Sequence, residues 1–205
     1  MRMRLLRVAA VCALLATMGS VQADGNIDAG RKKASSCNTC HGEDGQGINP
    51  TPPLAGLTEE YFTRQMNAYK TGKRENAMME AFAKPLSDKD LADMAAYYAA
   101  LPKPCGDGGA PAPATTDTGE VIGDIEAGKR EAAKGGASSC NGCHGLHGRG
   151  DPLNPRIAGL APGYFIHEMN DYKTGAREHL MMQVVVQDLT EKDMANLAAY
   201  FASLR

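Results

Sequence analysis

The feature that most constrains this 205-residue chain is a short motif that occurs twice. In each copy two cysteines are separated by two residues, and a histidine follows directly. The copies span Cys37–His41 and Cys140–His144 and lie 103 residues apart. The histidine comes four residues after the first cysteine, so on a helix the two side chains share one face. Any fold of this chain must therefore bring two thiols and an imidazole together at two places.

The motif is typical of covalent haem attachment. Each thiol can form a thioether with a haem vinyl group, and the imidazole is then placed to bind the iron. A thioredoxin-type pair is expected near a βαβ pattern, which the sequence lacks. A four-cysteine zinc site has much shorter intervals than the 99 residues between Cys40 and Cys140. We therefore predict two covalent haem c groups, with cysteine attachment sites and histidine iron ligands at Cys37, Cys40, His41, Cys140, Cys143 and His144.

The N-terminus predicts a secretory signal peptide. Three arginines precede a short apolar run, Val8–Met18, and small residues suited to cleavage lie before Asp24. The run is too short to span a bilayer, so an uncleaved anchor is the less favoured alternative. No other segment is long and apolar enough for stable membrane insertion after cleavage. Since haem c is attached outside the bacterial cytoplasm, we expect the protein in the periplasm.

The charge of the predicted mature chain argues against one class of function. Without the three arginines of the signal, 19 basic residues face 24 acidic ones, a formal net charge of −5. Nucleic-acid binding requires a basic surface. We therefore expect no nucleic-acid partner, although the charge does not identify the partner that does bind.

The two motifs belong to an internal duplication. From Cys37 to about Ala100 the chain aligns without a gap with the segment from Cys140 to the C-terminus. Before the cysteines the second copy is five residues longer, within Glu131–Gly136. The stretch between the copies is rich in proline, glycine, alanine and threonine, which predicts a semi-flexible tether. We predict a signal peptide, a first domain, a linker and a second domain at residues 1–23, 24–101, 102–119 and 120–205.

Each copy predicts helices and no strands, so the expected fold class is all-α. In the first copy we expect helices over about 27–40 and 58–70, and a third that begins at Ser87 as N-cap with Asp90 three residues later. The third helix of each copy carries a periodic apolar face. These faces consist of Leu91, Met94, Ala95 and Tyr98, and of Met194, Leu197, Ala198 and Phe201 after the cap Thr190. A buried haem supplies apolar volume that domains of about 80 residues lack.

The sixth iron ligand decides between electron transfer and chemistry on a small ligand, and methionine is the usual choice in a carrier. Three methionines recur in both copies, as Met66 and Met169, Met78 and Met181, and Met79 and Met182. The first pair lies inside the second helix between aromatic residues, which favours core packing. The other two pairs follow a glycine turn, in segments that we predict to be irregular. The spacing from the motif histidines does not show which of the two adjacent methionines in each copy would bind the iron.

Three further residues have two interpretations each. Cys105 lies in the linker outside both motifs, and an odd cysteine in an exported protein indicates an exposed thiol or an intermolecular bridge. Nothing around it resembles an activated thiol site, so an incidental linker cysteine is favoured. Arg74 and Arg177 recur at the same place in the two copies. Contact with a haem propionate and exposure to solvent both agree with the sequence.

The chain resembles the dihaem cytochrome c4 family of class I cytochromes c. The resemblance covers nearly the whole mature chain. It rests on the paired Cys-x-x-Cys-His-Gly motifs, the Pro-x-Leu/Ile-Ala-Gly and Tyr-Lys-Thr-Gly segments, the Met-Met pairs and the C-terminal Ala-Ala-Tyr motifs. It implies two tandem class I cytochrome c domains, each a few helices wrapped round one covalent haem. In the family the axial methionine precedes the leucine before the last helix by seven residues, which implies Met79 and Met182. It also implies that the carbonyls of Pro52 and Pro155 accept the Nδ1 proton of the motif histidines.

These observations predict a soluble electron carrier that is not itself an enzyme. Each haem would carry one electron, and the expected partners are a quinol-oxidising complex and a terminal oxidase. One alternative is a haem-bearing, electron-accepting subunit of a periplasmic oxidoreductase, such as a flavoprotein that oxidises sulfide. A dihaem peroxidase or a ligand sensor would need an open iron, and the recurrent Met-Met segments argue against both.

Overall fold

The computed structural model of the chain describes residues 25–103, 123–136 and 139–204. The predicted signal peptide, Cys105 and nearly all of the predicted linker lie outside these ranges. Within them the secondary structure is helical, apart from two isolated β-bridges. The prediction of an all-α fold class is confirmed. No helix in the described ranges combines the length and the apolar composition that a membrane crossing requires.

In residues 25–103 the first domain has four α-helices. They are α1 (Ile27–His41), α2 (Glu59–Thr71), α3 (Ala77–Ala83) and α4 (Asp88–Ala100). The predicted cap Ser87 is confirmed, because it forms a reciprocal capping box with Asp90. Thr58 lies where the second helix was predicted to begin, and its side chain accepts from the amide of Tyr61. Gly72 ends α2 in the left-handed conformation that favours glycine.

In residues 123–136 and 139–204 the second domain has five α-helices, because the counterpart of α1 is divided. They are α5 (Ile125–Ala133), α6 (Cys140–Cys143), α7 (Pro162–Thr174), α8 (Leu180–Val186) and α9 (Glu191–Ala202). The five extra residues of this copy fall between α5 and α6. Lys134 is extended there, and Gly135 and Gly136 have positive φ, so the backbone leaves the helix before the cysteines.

The Met-Met segments are helical, so the prediction that they are irregular was wrong. They form α3 and α8, each seven residues long. The Asn76 side chain accepts from the amide of Met79 at 3.0 Å, and His179 accepts from the amide of Met182 at 3.4 Å. Helices this short show too few turns for a periodic pattern, and a side-chain cap and tertiary packing stabilise them instead.

Each domain has one apolar core behind its motif. The predicted inward faces of α4 and α9 are confirmed, because all eight residues are buried. The first helix of each domain crosses the last at a glycine. A Cβ on Gly30 would lie 2.0 Å from the Asp93 carbonyl oxygen, and one on Gly128 would lie 2.0 Å from the Asn196 carbonyl oxygen. These close crossings fix the helix that leads into each motif against the core.

The two domains meet where α2 and α7 end. Arg74 and Arg177 form an antiparallel β-bridge, flanked by two backbone hydrogen bonds between the domains. The amide of Glu75 donates to the carbonyl of Ala176 at 2.8 Å, and the amide of Glu178 donates to the carbonyl of Lys73 at 2.7 Å. Backbone groups of both copies thus satisfy each other across the contact.

Candidate functional site

The motif histidines are buried and held by backbone carbonyls. Nδ1 of His41 lies 2.8 Å from the Pro52 carbonyl oxygen, and Nδ1 of His144 lies 2.8 Å from that of Pro155. This confirms the contact that the family resemblance implies. With Nδ1–H as donor, Nε2 keeps its lone pair for a metal. Burial lowers the pKa of both histidines, although the carbonyl contact opposes it, so both rings favour the neutral state that ligates iron.

A tight loop after each motif brings the proline to the histidine. In the first domain the amide of Gly47 donates to the carbonyl of His41 at 2.7 Å. The amides of Leu54 and Ala55 both donate to the carbonyl of Gly45, at 2.8 and 2.9 Å. The second domain repeats these bonds at the equivalent positions. These backbone hydrogen bonds hold the loop in one conformation. The loop alone therefore positions the proline carbonyl beside the histidine.

The thiols do not resemble a catalytic redox pair. Burial raises the pKa of Cys37, and it raises the pKa of Cys140 to about 11. Reactive thiol pairs require the opposite shift. In addition, no group of three or more His, Cys, Asp or Glu side chains within the described ranges is arranged to hold a metal ion. The structure thus offers no support for the thioredoxin-type or zinc alternatives.

The three recurrent methionine pairs differ in burial. Met66 and Met169 are buried within the cores. Met79 and Met182 are half-buried and pack against those cores, whereas their neighbours Met78 and Met181 are 64% and 59% exposed. The burial therefore distinguishes the adjacent methionines, which their spacing from the histidines did not.

A single cavity of about 870 Å³ connects the motifs of the two domains. Its walls include the four motif cysteines and both histidines, with Met79 and Met182. Apolar side chains such as Leu57, Phe62 and Phe165 complete the lining. Thiols for covalent attachment, neutral imidazoles and apolar walls are what a haem requires. The residues present therefore fit one haem c in each domain.

Arg74 and Arg177 are buried, so the interpretation of solvent-exposed arginines was wrong. They are 5% and 6% exposed. Arg74 donates to Gln65 Oε1 at 2.9 Å, to Tyr164 Oη at 3.0 Å and to Glu168 Oε1 at 2.5 Å. Contact with a haem propionate remains a prediction, and both arginines line the cavity.

Arg177 makes the mirrored set of contacts. It pairs with Glu168 Oε2 and donates to Tyr61 Oη at 3.1 Å and to Gln65 Oε1 at 2.7 Å. Sequence reasoning did not assign Tyr61, Tyr164, Gln65 or Glu168 to the site. Recurrence of the tyrosines and arginines in both copies was the available signal, but it did not show that the copies contact each other.

The two domains differ beside the motif. Tyr98 Oη donates to Asn38 Oδ1 at 3.1 Å in the first domain. The matching residues in the second domain are Phe201 and Asn141, and phenylalanine has no hydroxyl. Within the described part of the chain, Oδ1 of Asn141 is buried without a hydrogen-bond partner. The second site thus lacks the hydrogen bond from a tyrosine hydroxyl to the motif asparagine oxygen that Tyr98 makes in the first site.

Removal of the hydroxyl at residue 98 and addition of a hydroxyl at residue 201 are expected to change the stability of the protein in opposite directions. Tyr98→Phe removes a donor and lowers the free energy of unfolding by about 1 kcal/mol, whereas Phe201→Tyr supplies one to Asn141 and raises it by about 1 kcal/mol. Chemical unfolding of the two holoprotein variants, followed by circular dichroism, measures both changes. Destabilisation by both substitutions would contradict the assignment of Asn141 as an acceptor that lacks a donor.

The helices, the motifs and the shared cavity define a c-type cytochrome with two haem domains. The Cytochrome c family matches residues 27–101 and 125–205. Cytochrome c4 of Azotobacter vinelandii is 33% identical over 214 residues, 95% of this chain and 98% of that protein. The thiosulfate dehydrogenase electron acceptor of Thiomonas intermedia is 34% identical over 198 residues, 92% of this chain and 88% of that protein.

A solved structure agrees with these relatives. The crystal structure of reduced recombinant cytochrome c4 from Pseudomonas stutzeri matches with a TM-score of 0.74 at 29% identity, over 88% of this chain and all of that chain. The chain belongs to the cytochrome c4 family of the c-type cytochromes. It is a dihaem electron-transfer cytochrome, and both motifs attach a covalent haem c.

Proposed function

We propose that this protein is a soluble periplasmic carrier whose two haem sites are both closed by methionine. The observation that carries the proposal is the paired arrangement of ligands. In each domain a neutral, carbonyl-held histidine and a half-buried methionine line the same cavity. When bound, the haem supplies a one-electron Fe(II)/Fe(III) couple, whose potential depends on the axial ligands and the surrounding groups.

The proposed site residues follow from these positions. Cys37, Cys40, Cys140 and Cys143 attach the two haems, and His41 and His144 are the first axial ligands. Met79 and Met182 are the second axial ligands. Their burial against the cores supports this choice over the exposed Met78 and Met181. Ligation by histidine and methionine in both oxidation states would leave little to reorganise, which suits repeated electron transfer.

The proposed organisation of the chain is a signal peptide over residues 1–23, domains over 24–101 and 120–205, and a linker over 102–119. The basic and apolar pattern of the N-terminus supports export. In the periplasm the expected electron donor is a quinol-oxidising complex, and the expected acceptor is a terminal oxidase. Both would be transient partners, since a carrier must release one before it meets the next.

The absorption spectrum of the purified holoprotein, oxidised and reduced, tests the proposal together with a haem count per chain. We expect two haems per chain, low-spin bands and a far-red methionine-to-iron band, none of which changes with carbon monoxide. A high-spin component or ready uptake of carbon monoxide by the reduced form would show an open iron. The chain would then be assigned to peroxidase or sensor chemistry instead.

A second candidate function is that of an electron-accepting subunit in a periplasmic oxidoreductase. The observation that favours it is the likeness to the Thiomonas intermedia protein, which is named as an electron acceptor of thiosulfate dehydrogenase and aligns with 92% of this chain. A flavoprotein that oxidises sulfide is another enzyme of this kind. Reduction of the holoprotein by purified thiosulfate dehydrogenase, compared with reduction by a quinol-oxidising complex, separates this role from that of a general carrier.

A further inference from the structure

The contact between the domains contains a nearly symmetric set of polar side chains. We call it the interdomain cluster, and it consists of Tyr61, Gln65, Arg74, Tyr164, Glu168 and Arg177. The offset of 103 residues pairs the tyrosines with each other and the arginines with each other. It also pairs Gln65 with Glu168, so the cluster departs from symmetry at one position only. That departure is a difference of one charge.

The cluster holds two positive charges and one negative charge. Burial opposes ionisation of Glu168, but the two arginines hold its pKa below the ordinary value. Burial also opposes the charge on Arg74 and Arg177, but the surrounding tyrosines and Glu168 raise the pKa of both. All three groups are therefore ionised at neutral pH. Gln65 accepts from both arginines without adding a charge, so the side chains of the cluster carry one net positive charge.

This excess charge lies in the same cavity as the two haem sites. All six residues of the interdomain cluster line the cavity that also contains both histidines and all four motif cysteines. Arg74, Arg177 and Glu168 are buried, so water screens their charges less than it screens surface charges. A fixed positive charge near a redox centre disfavours the state with the higher positive charge, which here is the oxidised state.

We propose that the interdomain cluster raises the reduction potentials of both haems through this excess positive charge, and that Glu168 and Gln65 set its size. The inference rests on the proposed function only in that both irons must be closed, one-electron centres. Glu168 and Gln65 act through the net charge of the cluster and are not iron ligands. Through the charges at positions 65 and 168, one cluster adjusts the reduction potentials of both haems.

Two isosteric exchanges test the sign of the effect. Gln65→Glu keeps the acceptor oxygen for both arginines and removes the excess charge, so both midpoint potentials should fall. Glu168→Gln leaves two unneutralised arginines, so both should rise. We expect a change on the order of tenfold in the ratio of reduced to oxidised haem at fixed applied potential. Tenfold corresponds to about 59 mV for a one-electron couple. Spectroelectrochemical titration of the holoproteins measures both midpoints.

Two further variants serve as controls. The double exchange of Gln65→Glu with Glu168→Gln restores the net charge and should return both midpoints toward those of the unaltered protein. Glu178→Gln removes one negative charge next to Arg177, but Glu178 is exposed and lies 3.9 Å from Lys73. Solvent screens such a charge, so this variant should show little shift.

The outcomes separate this inference from the proposed function. Shifts of opposite sign in the two single exchanges support it, whereas a purely structural role of the cluster would not reverse the sign. Unchanged midpoints, shifts of equal sign, or an equal shift in Glu178→Gln would overturn it. Gln65→Glu alone decides the sign if Glu168→Gln does not fold. An open iron in the unaltered holoprotein would instead contradict the proposed function.

Discussion

Replacement of Met79 with alanine is expected to open the first haem, so that the reduced protein binds carbon monoxide at one of its two irons. Alanine has no atom that can ligate iron, and the proposed ligand is lost without loss of the thioether attachment. The far-red methionine-to-iron band should lose the contribution of one haem. The potential of that haem should fall, because methionine ligation raises it. Absorption spectra with and without carbon monoxide measure the opening.

The neighbouring methionine provides a matched control. Met78 is 64% exposed, so Met78→Ala should leave the far-red band and the resistance to carbon monoxide unchanged. Met182→Ala and Met181→Ala form the same comparison in the second domain. If Met78→Ala opened the iron and Met79→Ala did not, the assignment within the pair would have to be reversed.

Substitution of Gly30 by alanine is expected to destabilise the first domain by about 3 kcal/mol. The added Cβ would lie 2.0 Å from the Asp93 carbonyl oxygen and 2.6 Å from its carbon. These are backbone atoms of α4 and cannot rotate away, so α1 would have to move off the core. The same helix carries the motif of the first domain, so haem incorporation should also fall. Chemical unfolding and the haem count of purified protein measure both effects.

Gly163 in α7 is the control for this substitution. A Cβ there meets no atom of the described residues within 4 Å, and alanine favours the helix by about 0.5–1 kcal/mol. Gly163→Ala should therefore be neutral or stabilising, whereas Gly128→Ala should weaken the second domain as Gly30→Ala weakens the first. If Gly30→Ala unfolded with the same free energy as Gly163→Ala, α1 would be able to shift without a loss of stability.

Much of the fold could be predicted because its signals are local. The start of α2 near Thr58, the cap at Ser87 and the apolar face of α4 are each set by residues within one helix, where periodicity and capping residues act. α3 and α8 were missed because seven residues are too few for a periodic signal. Their existence depends on a cap and on packing against residues distant in the chain.

The parts of the site that belong to a motif, or that the family resemblance implies, could be predicted from the sequence. The histidines and cysteines follow from the motif itself, whereas the Pro52 carbonyl came from the resemblance. The interdomain cluster could not be predicted, because Arg74 contacts Tyr164 and Glu168, which lie 90 and 94 residues away. Duplication shows that Arg74 and Arg177 are equivalent, but only the structure shows that they meet.

The backbone bridge between Arg74 and Arg177 has a further consequence. Each domain presents an equivalent surface, apart from the difference between Gln65 and Glu168, so the contact resembles the self-complementary interface of a two-fold dimer. Here the two halves belong to one polypeptide, and the covalent connection fixes the effective concentration of each half for the other. The association is therefore independent of protein concentration. Dilution that would dissociate a dimer of single-haem proteins leaves this pairing intact, and each half can vary in sequence without a matching change in a second chain.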